Sequence, residues 1–153
     1  DLEDAFLKSI IATGFDLLGK NVLVSIGGDE NRYYLLNSIS LLKDNGYNLF
    51  ATDHTSKFLT KQGIKNQLIY KAHQTKEPNI ITYLSNRNLD LIICIPDQFD
   101  KKLLKDEYII RRNAVDFSVP LLTNCQLTKL FVESIIKKDL DQLEIKHWAE
   151  YQK

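Results

Sequence analysis

Residues 89–95, Leu-Asp-Leu-Ile-Ile-Cys-Ile, form the most continuous apolar run of the chain. A strand of this composition has almost no polar face. It predicts a central strand covered on both sides, as in a parallel sheet flanked by helices. Four further segments of strand length are β-branched or apolar: 21–26 (NVLVSI), 47–52, 66–71 and 119–124. Between them the apolar spacing turns helical. Leu35, Ile39 and Leu42 share one face before Asn45-Gly46, residues 57–62 close at Gly63, and 79–86 and 108–116 read as helices. Leu127, Leu130, Phe131, Ser134 and Ile135 follow the spacing of a packed helix, and Leu2, Phe6 and Ile10 mark an N-terminal amphipathic helix over 2–12. Polar loops are expected at 72–78 and 96–102. Strands alternating with helices through short connections predict an α/β fold, a three-layer α/β/α sandwich on five parallel strands. The 153 residues suit one domain, 1–153, with 139–153 as a C-terminal tail. Ile145, Trp148 and Tyr151 would pin that tail back or dock it on a neighbouring domain.

Charge narrows the partners. Twenty basic and twenty acidic residues cancel, which points to neither nucleic acid nor an anionic membrane. No apolar run approaches the ~18 residues of a membrane span, and no signal peptide is visible. Cys94 and Cys125 sit in apolar contexts and read as reduced core thiols of a cytosol-like compartment. The sequence starts at Asp1 without a methionine, so the expectation is a processed chain or a piece of something longer.

The chemistry concentrates at residues 50–56, Phe-Ala-Thr-Asp-His-Thr-Ser, where the second strand gives way to a helix. Such junctions lie at the carboxyl edge of a parallel sheet, where ligands bind. A helix start offers free N–H groups and partial positive charge to a phosphate or carboxylate. Thr52 and Thr55 would add two hydroxyl donors, or would serve only as helix caps. Lys71, at the end of the third strand, can reach an anion held at Thr52, or remain solvated. Asp97 follows the fourth strand, where an enzyme can keep a carboxylate, though a lone Asp in a Pro-Asp turn is more often a turn former. Of Arg111 and Arg112, one can face the site and the other the surface, or both can form structural ion pairs. His54, His73 and His147 are scattered and no Cys-x-x-Cys exists, so no metal cluster is expected. Gly27-Gly28 is not a dinucleotide fingerprint, and no G-x-S-x-G elbow is present.

Seven segments in order make a wider pattern. They are Ala5-Phe-Leu-Lys…Thr13-Gly-Phe15, Gly46-Tyr-Asn-Leu-Phe-Ala-Thr52…Thr55, Pro78-Asn-Ile80, Leu89-Asp-Leu-Ile-Ile93, Tyr108-Ile-Ile-Arg-Arg-Asn-Ala-Val-Asp116, Val119-Pro-Leu-Leu-Thr-Asn124 and Thr128-Lys-Leu-Phe-Val-Glu133. Together they resemble the C-terminal allosteric domain of the carbamoyl-phosphate synthetase large subunit, which has the methylglyoxal-synthase-like fold. The resemblance implies a regulatory, non-catalytic module with no cofactor of its own. It would bind a small anionic effector, a nucleotide such as UMP or IMP, or N-acetylglutamate. By the same resemblance, Thr52 and Thr55 hold the effector's anionic group, with Lys71 and Ser25 assisting as in the nucleotide-responsive members. Cys94, Asp97 and Arg111 complete the expected effector site.

The sequence departs from the N-acetylglutamate-responsive pattern near Lys71, Cys94 and Asp97, which leans the expectation towards a phosphorylated effector. The nucleotide-type asparagine-threonine run is also absent, replaced by Cys94-Ile-Pro96, and Asp97 would repel an anion brought near. The implied partners are the ATP-grasp catalytic domains of the same enzyme and a possible glutaminase subunit. The implied setting is arginine or pyrimidine biosynthesis, in the cytoplasm or, for a eukaryotic ammonia-dependent enzyme, the mitochondrial matrix. A stand-alone methylglyoxal synthase shares the fold and the Ala-Thr-x-x-Thr turn. It needs an aspartate base in the loop after the third strand, where this sequence has Ala72-His-Gln-Thr-Lys-Glu-Pro78, leaving only Glu77.

Overall fold

The computed structural model describes Ala5, residues 19–97 and residues 101–137, with side chains 101–104 excepted. The expected helix over 2–12 (apart from Ala5, which is helical) and the tail with Ile145, His147, Trp148 and Tyr151 lie outside the described residues.

Strand β1 (Asn21–Ile26) is followed by α1 (Asp29–Asp44), β2 (Asn48–Ala51), α2 (Asp53–Lys61) and β3 (Gln67–Leu68). Helix α3 (Ile80–Ser85), β4 (Leu91–Ile95), α4 (Lys101–Asp116), β5 (Leu121–Leu122) and α5 (Cys125–Lys137) complete the order. The five strands form one sheet in the order β3-β2-β1-β4-β5, every pairing parallel. The expected α/β architecture is therefore what the chain adopts. β1 lies at the centre, and beside it β4 is buried at every position, as its unbroken apolar run requires.

Alternation along β1 divides the core in two. Val22, Val24 and Ile26 pack with Leu35, Ile39 and Leu42 of α1, Leu59 of α2, and Phe131, Val132 and Ile135 of α5. Leu23 points the other way, with Ile92 and Cys94 of β4, Ile80 and Leu84 of α3, and Ile110 and Ala114 of α4. One layer of the sandwich is thus α1, α2 and α5, and the other is α3 and α4.

The edge strands are shorter than the expected 66–71 and 119–124. Past Ile69 the chain leaves β2 and turns to its own loop: the Tyr70 N–H donates to Pro78 O (2.7 Å) and Ile80 N–H to Tyr70 O (2.9 Å). At the other edge, Pro120 has no N–H for the ladder, and the Val119 N–H is claimed by Ala114 O at the end of α4 (2.9 Å). Beyond Leu122, Asn124 accepts the Leu127 N–H at 2.9 Å and so begins α5. Helix α4 starts seven residues before the expected 108, because the charged stretch after Pro96 is helical from Lys101.

The loop from Lys71 to Asn79 is organised by Asn79, which is 8% exposed. Its Nδ2 donates to Lys71 O (2.9 Å) and Gln74 O (2.8 Å), and its Oδ1 accepts the Ile81 N–H (2.9 Å) as the cap of α3. Asn79→Ala removes a cap and leaves two loop carbonyls without their donor, an expected loss of about 2–3 kcal/mol in urea unfolding. A loss below about 0.5 kcal/mol would show that water replaces the amide.

Candidate functional site

At the carboxyl edge, Ser25 of β1, the first turn of α2, Arg32 of α1, Lys71, and Asp106, Glu107 and Ile110 of α4 line one small pocket of about 20 Å³. Thr52 is the residue before α2, with extended backbone, and its side chain makes no capping bond. Its hydroxyl instead donates to Ser25 Oγ at 3.1 Å. The first N–H groups of α2 have no intrahelical acceptors, and Thr52, His54 and Thr55 at this helix start line the pocket. Thr55 is 1% exposed. Its hydroxyl accepts the Ile26 N–H (3.0 Å) and donates to Ile26 O (3.4 Å), clamping the start of α2 to the end of β1. Thr55 therefore lines the pocket with its hydroxyl already engaged by β1.

Lys71 lies three residues past the end of β3. Its N–H donates to Gln74 Oε1 (2.8 Å), and its Nζ meets Asp106 Oδ2 at 3.3 Å, both side chains being largely buried. Asp106 also takes His73 Nδ1 at 2.8 Å. Arg32 is turned inward, with one guanidinium nitrogen on Asp29 at 2.7 Å and its Nε buried without a hydrogen-bond partner. Glu107, 7% exposed, accepts the Asp97 backbone N–H on Oε1 at 3.2 Å, while Oε2 is buried and unpartnered. Burial pushes the Glu107 carboxyl above the usual range, opposed by the Asp97 N–H and by the charges of Arg111 and Lys71. A carboxyl raised in the folded state contributes stability below its unfolded pKa, and that contribution is lost as pH rises through the folded value.

The expected site residues do not all reach this pocket. Ser25, Thr52, Thr55 and Lys71 do. Cys94 pairs with Ser25 in the β1–β4 ladder but lies fully buried beneath the site. Burial drives its thiol up to about 12, with the Glu107 charge adding and Arg111 and Lys71 opposing. Arg111 faces inward with a buried, unpartnered Nε, while Arg112 is exposed beside Asp116 (3.9 Å), so the two arginines do divide between interior and surface. Asp97 lines a different cleft, of about 680 Å³, between the first residues of α1 and residues 123–126. That cleft is larger, but Asp29, Glu30 and Asp97 give it an acidic wall, and none of the four converging residues lines it.

Arg32, Asp106 and Glu107 escaped the sequence reading, and His54, which lies in the 50–56 stretch, lines the pocket without having been expected there. The i,i+3 pair Asp29/Arg32 carries the only local signal, and it reads as surface helix. Glu77 accepts from the Asn79 N–H and the Thr82 hydroxyl and does not line the pocket. Among the described residues, no group of three His, Cys, Asp or Glu side chains is placed to hold a metal, and no helix is long and apolar enough to cross a membrane.

Against known proteins, the family model of the MGS-like domain matches residues 34–123. The multifunctional protein URA2 of Saccharomyces cerevisiae is 40% identical over 141 residues, which cover 86% of this chain and 6% of that protein. The mitochondrial carbamoyl-phosphate synthase (ammonia) of Homo sapiens is 32% identical over 155 residues, 98% of this chain and 10% of that protein. The multifunctional protein CAD of Squalus acanthias is 34% identical over 146 residues, 86% and 6% respectively. The chain thus spans only 6–10% of the length of these relatives.

Proposed function

The chain belongs to the MGS-like domain family, and from that membership we propose that it is the effector-binding regulatory module of a carbamoyl-phosphate synthetase. The carrying observation is the convergence of Lys71, Arg32, the Ser25–Thr52 hydroxyl pair and the start of α2 on one pocket. Two cations, hydroxyls and a helix start together suit a phosphate or carboxylate. Glu77, the one base that the loop could offer a methylglyoxal synthase, lies outside the pocket and is engaged with Asn79 and Thr82, which speaks against that reading. The human relative is named a carbamoyl-phosphate synthase and the yeast relative a multifunctional protein, which supports a place within a longer enzyme, whose ATP-grasp catalytic domains and a possible glutaminase subunit would be the partners. The setting would be arginine or pyrimidine biosynthesis, in cytoplasm or mitochondrial matrix.

Regulation would act by population shift, the effector favouring one conformer of the whole enzyme. About 20 Å³ is far too little for a nucleotide, whose sites run to roughly 300 Å³ or more. The conformer that accepts the effector would therefore have a wider pocket, with the Lys71–Asp106 contact across it opened. A phosphorylated effector places nearly two charges beside Lys71, so Lys71→Ala should raise the Kd for UMP about tenfold, and less at high salt. N-acetylglutamate should lose less. Calorimetric titration of wild type and variant with both ligands, at low and high salt, checks this. Unchanged affinity for both would leave Lys71 as a partner of Asp106 only, and binding of N-acetylglutamate alone would reverse the preference for a phosphorylated effector.

A further inference from the structure

The pocket's cationic side faces a wall that an anion site ordinarily lacks. Glu107 stands in the second turn of α4 among the lining residues, nine-tenths buried, with Oε2 unpartnered. The groups facing it come from every neighbouring element. They are the Asp97 N–H and charge from the segment after β4, Cys94 from β4, Lys71 from the loop after β3, and Arg111 from its own helix. Arg32 of α1, His54 of α2 and Asp106 of α4 line the same pocket. Asp106 is already held on both oxygens by Lys71 and His73. Among the described residues, Glu107 alone presents a buried carboxyl oxygen with nothing bound to it. Ionised, that oxygen opposes an arriving anion; protonated, it has a hydrogen to donate.

We propose that Glu107 is a ligand-contacting residue of this pocket that receives the anion in its protonated form, donating a hydrogen bond from Oε2, so that each anion bound takes up one proton. The balance is simple: a solvent proton adds to the carboxylate, stays on Glu107, and no bond of the ligand changes. Burial already holds the carboxyl above its usual range, which lessens the cost of that uptake. The inference rests on the anionic-effector reading of the same pocket and adds its coupling to pH.

The test is calorimetric titration of the 153-residue chain with UMP and with N-acetylglutamate at pH 8, in two buffers of different ionisation enthalpy. At that pH a phosphomonoester, with second pKa about 6, is fully ionised, so any uptake belongs to the protein. Expected is an uptake of about one proton per ligand in wild type and in His54→Gln, and none in Glu107→Gln. In Glu107→Gln an amide N–H takes the place of the acid O–H as donor to the ligand, so this variant binds at least as tightly as wild type at pH 8. Wild-type Kd should rise by up to about tenfold per pH unit above neutrality, while that of Glu107→Gln stays flat. Wild-type binding without uptake overturns the inference and leaves the anion site standing. Uptake that survives in Glu107→Gln, or vanishes in His54→Gln, assigns the proton elsewhere and overturns it too. Failure of wild type to bind either ligand overturns both the inference and the effector reading.

Discussion

Gly27→Ala is expected to destabilise the domain by about 3 kcal/mol or more and to weaken anion binding with it. The residue sits where the end of β1 meets the segment leaving β4. A methyl group there would meet Asp97 N at 2.4 Å, Asp97 Cβ at 2.6 Å and Asp97 Cα at 2.8 Å. The obstacle is mostly backbone, so no side-chain rotation relieves it. Nor can Gly27 retreat, because its N–H is bonded to Ile95 O at 2.8 Å. The segment around Asp97 has to move, and with it the N–H that Glu107 Oε1 accepts. Gly28→Ala is the comparison. Its φ of 80° and ψ of 137° lie in a region nearly reserved for glycine, but the nearest side-chain atom is Asn31 Nδ2 at 3.7 Å, so its cost of about 1–3 kcal/mol comes from backbone strain alone. Urea unfolding of both variants decides it. Gly27 carries no positive φ, so a Gly27→Ala loss below about 1 kcal/mol would mean that the Asp97 segment gives way to the methyl group and that its approach does not select glycine.

Thr55→Val, a change of nearly constant volume, should cost about 2 kcal/mol, since the buried Ile26 N–H loses its acceptor. The hydroxyl is also what ties α2 to β1, so the helix start that faces the pocket loses its alignment. Affinity for an anionic ligand should therefore fall together with stability. Thr55→Ser keeps the hydroxyl and should restore most of both. A Thr55→Val protein that unfolds at the wild-type urea midpoint would show that water satisfies Ile26, and the clamp would then have no energetic weight.

The sheet was readable because its strongest determinant is local. The apolar run 89–95 has nowhere to go but between two helical layers, and the β-branched run 21–26 matches β1 to the residue. Edge strands are decided by partners: Tyr70 chose Pro78, and Val119 chose the end of α4. The site shows the same division. Thr52 was visible as a helix start after a strand. Its contact with Ser25, however, spans 27 residues, and the Lys71–Asp106 pair spans 35. Glu107 was hidden because Lys-Lys-Leu-Leu-Lys-Asp-Glu after a Pro-Asp turn resembles a charged loop, and helicity there comes from packing Ile110 and Ala114 on the sheet. Arg32 was hidden for a related reason. The apolar stripe of α1 says which face is buried, and nothing about which turn overlooks the edge of β1.

The two halves of the core share no residue: the sheet keeps them apart as a wall keeps two rooms. At the carboxyl edge both sides border one space, with Arg32 and Thr55 from one room and Glu107 and Ile110 from the other. A molecule held there is a rivet through the wall. It would resist the sliding of α4 across the sheet while leaving each half free to keep its own packing, so tightening could be felt across the domain without either core being rebuilt.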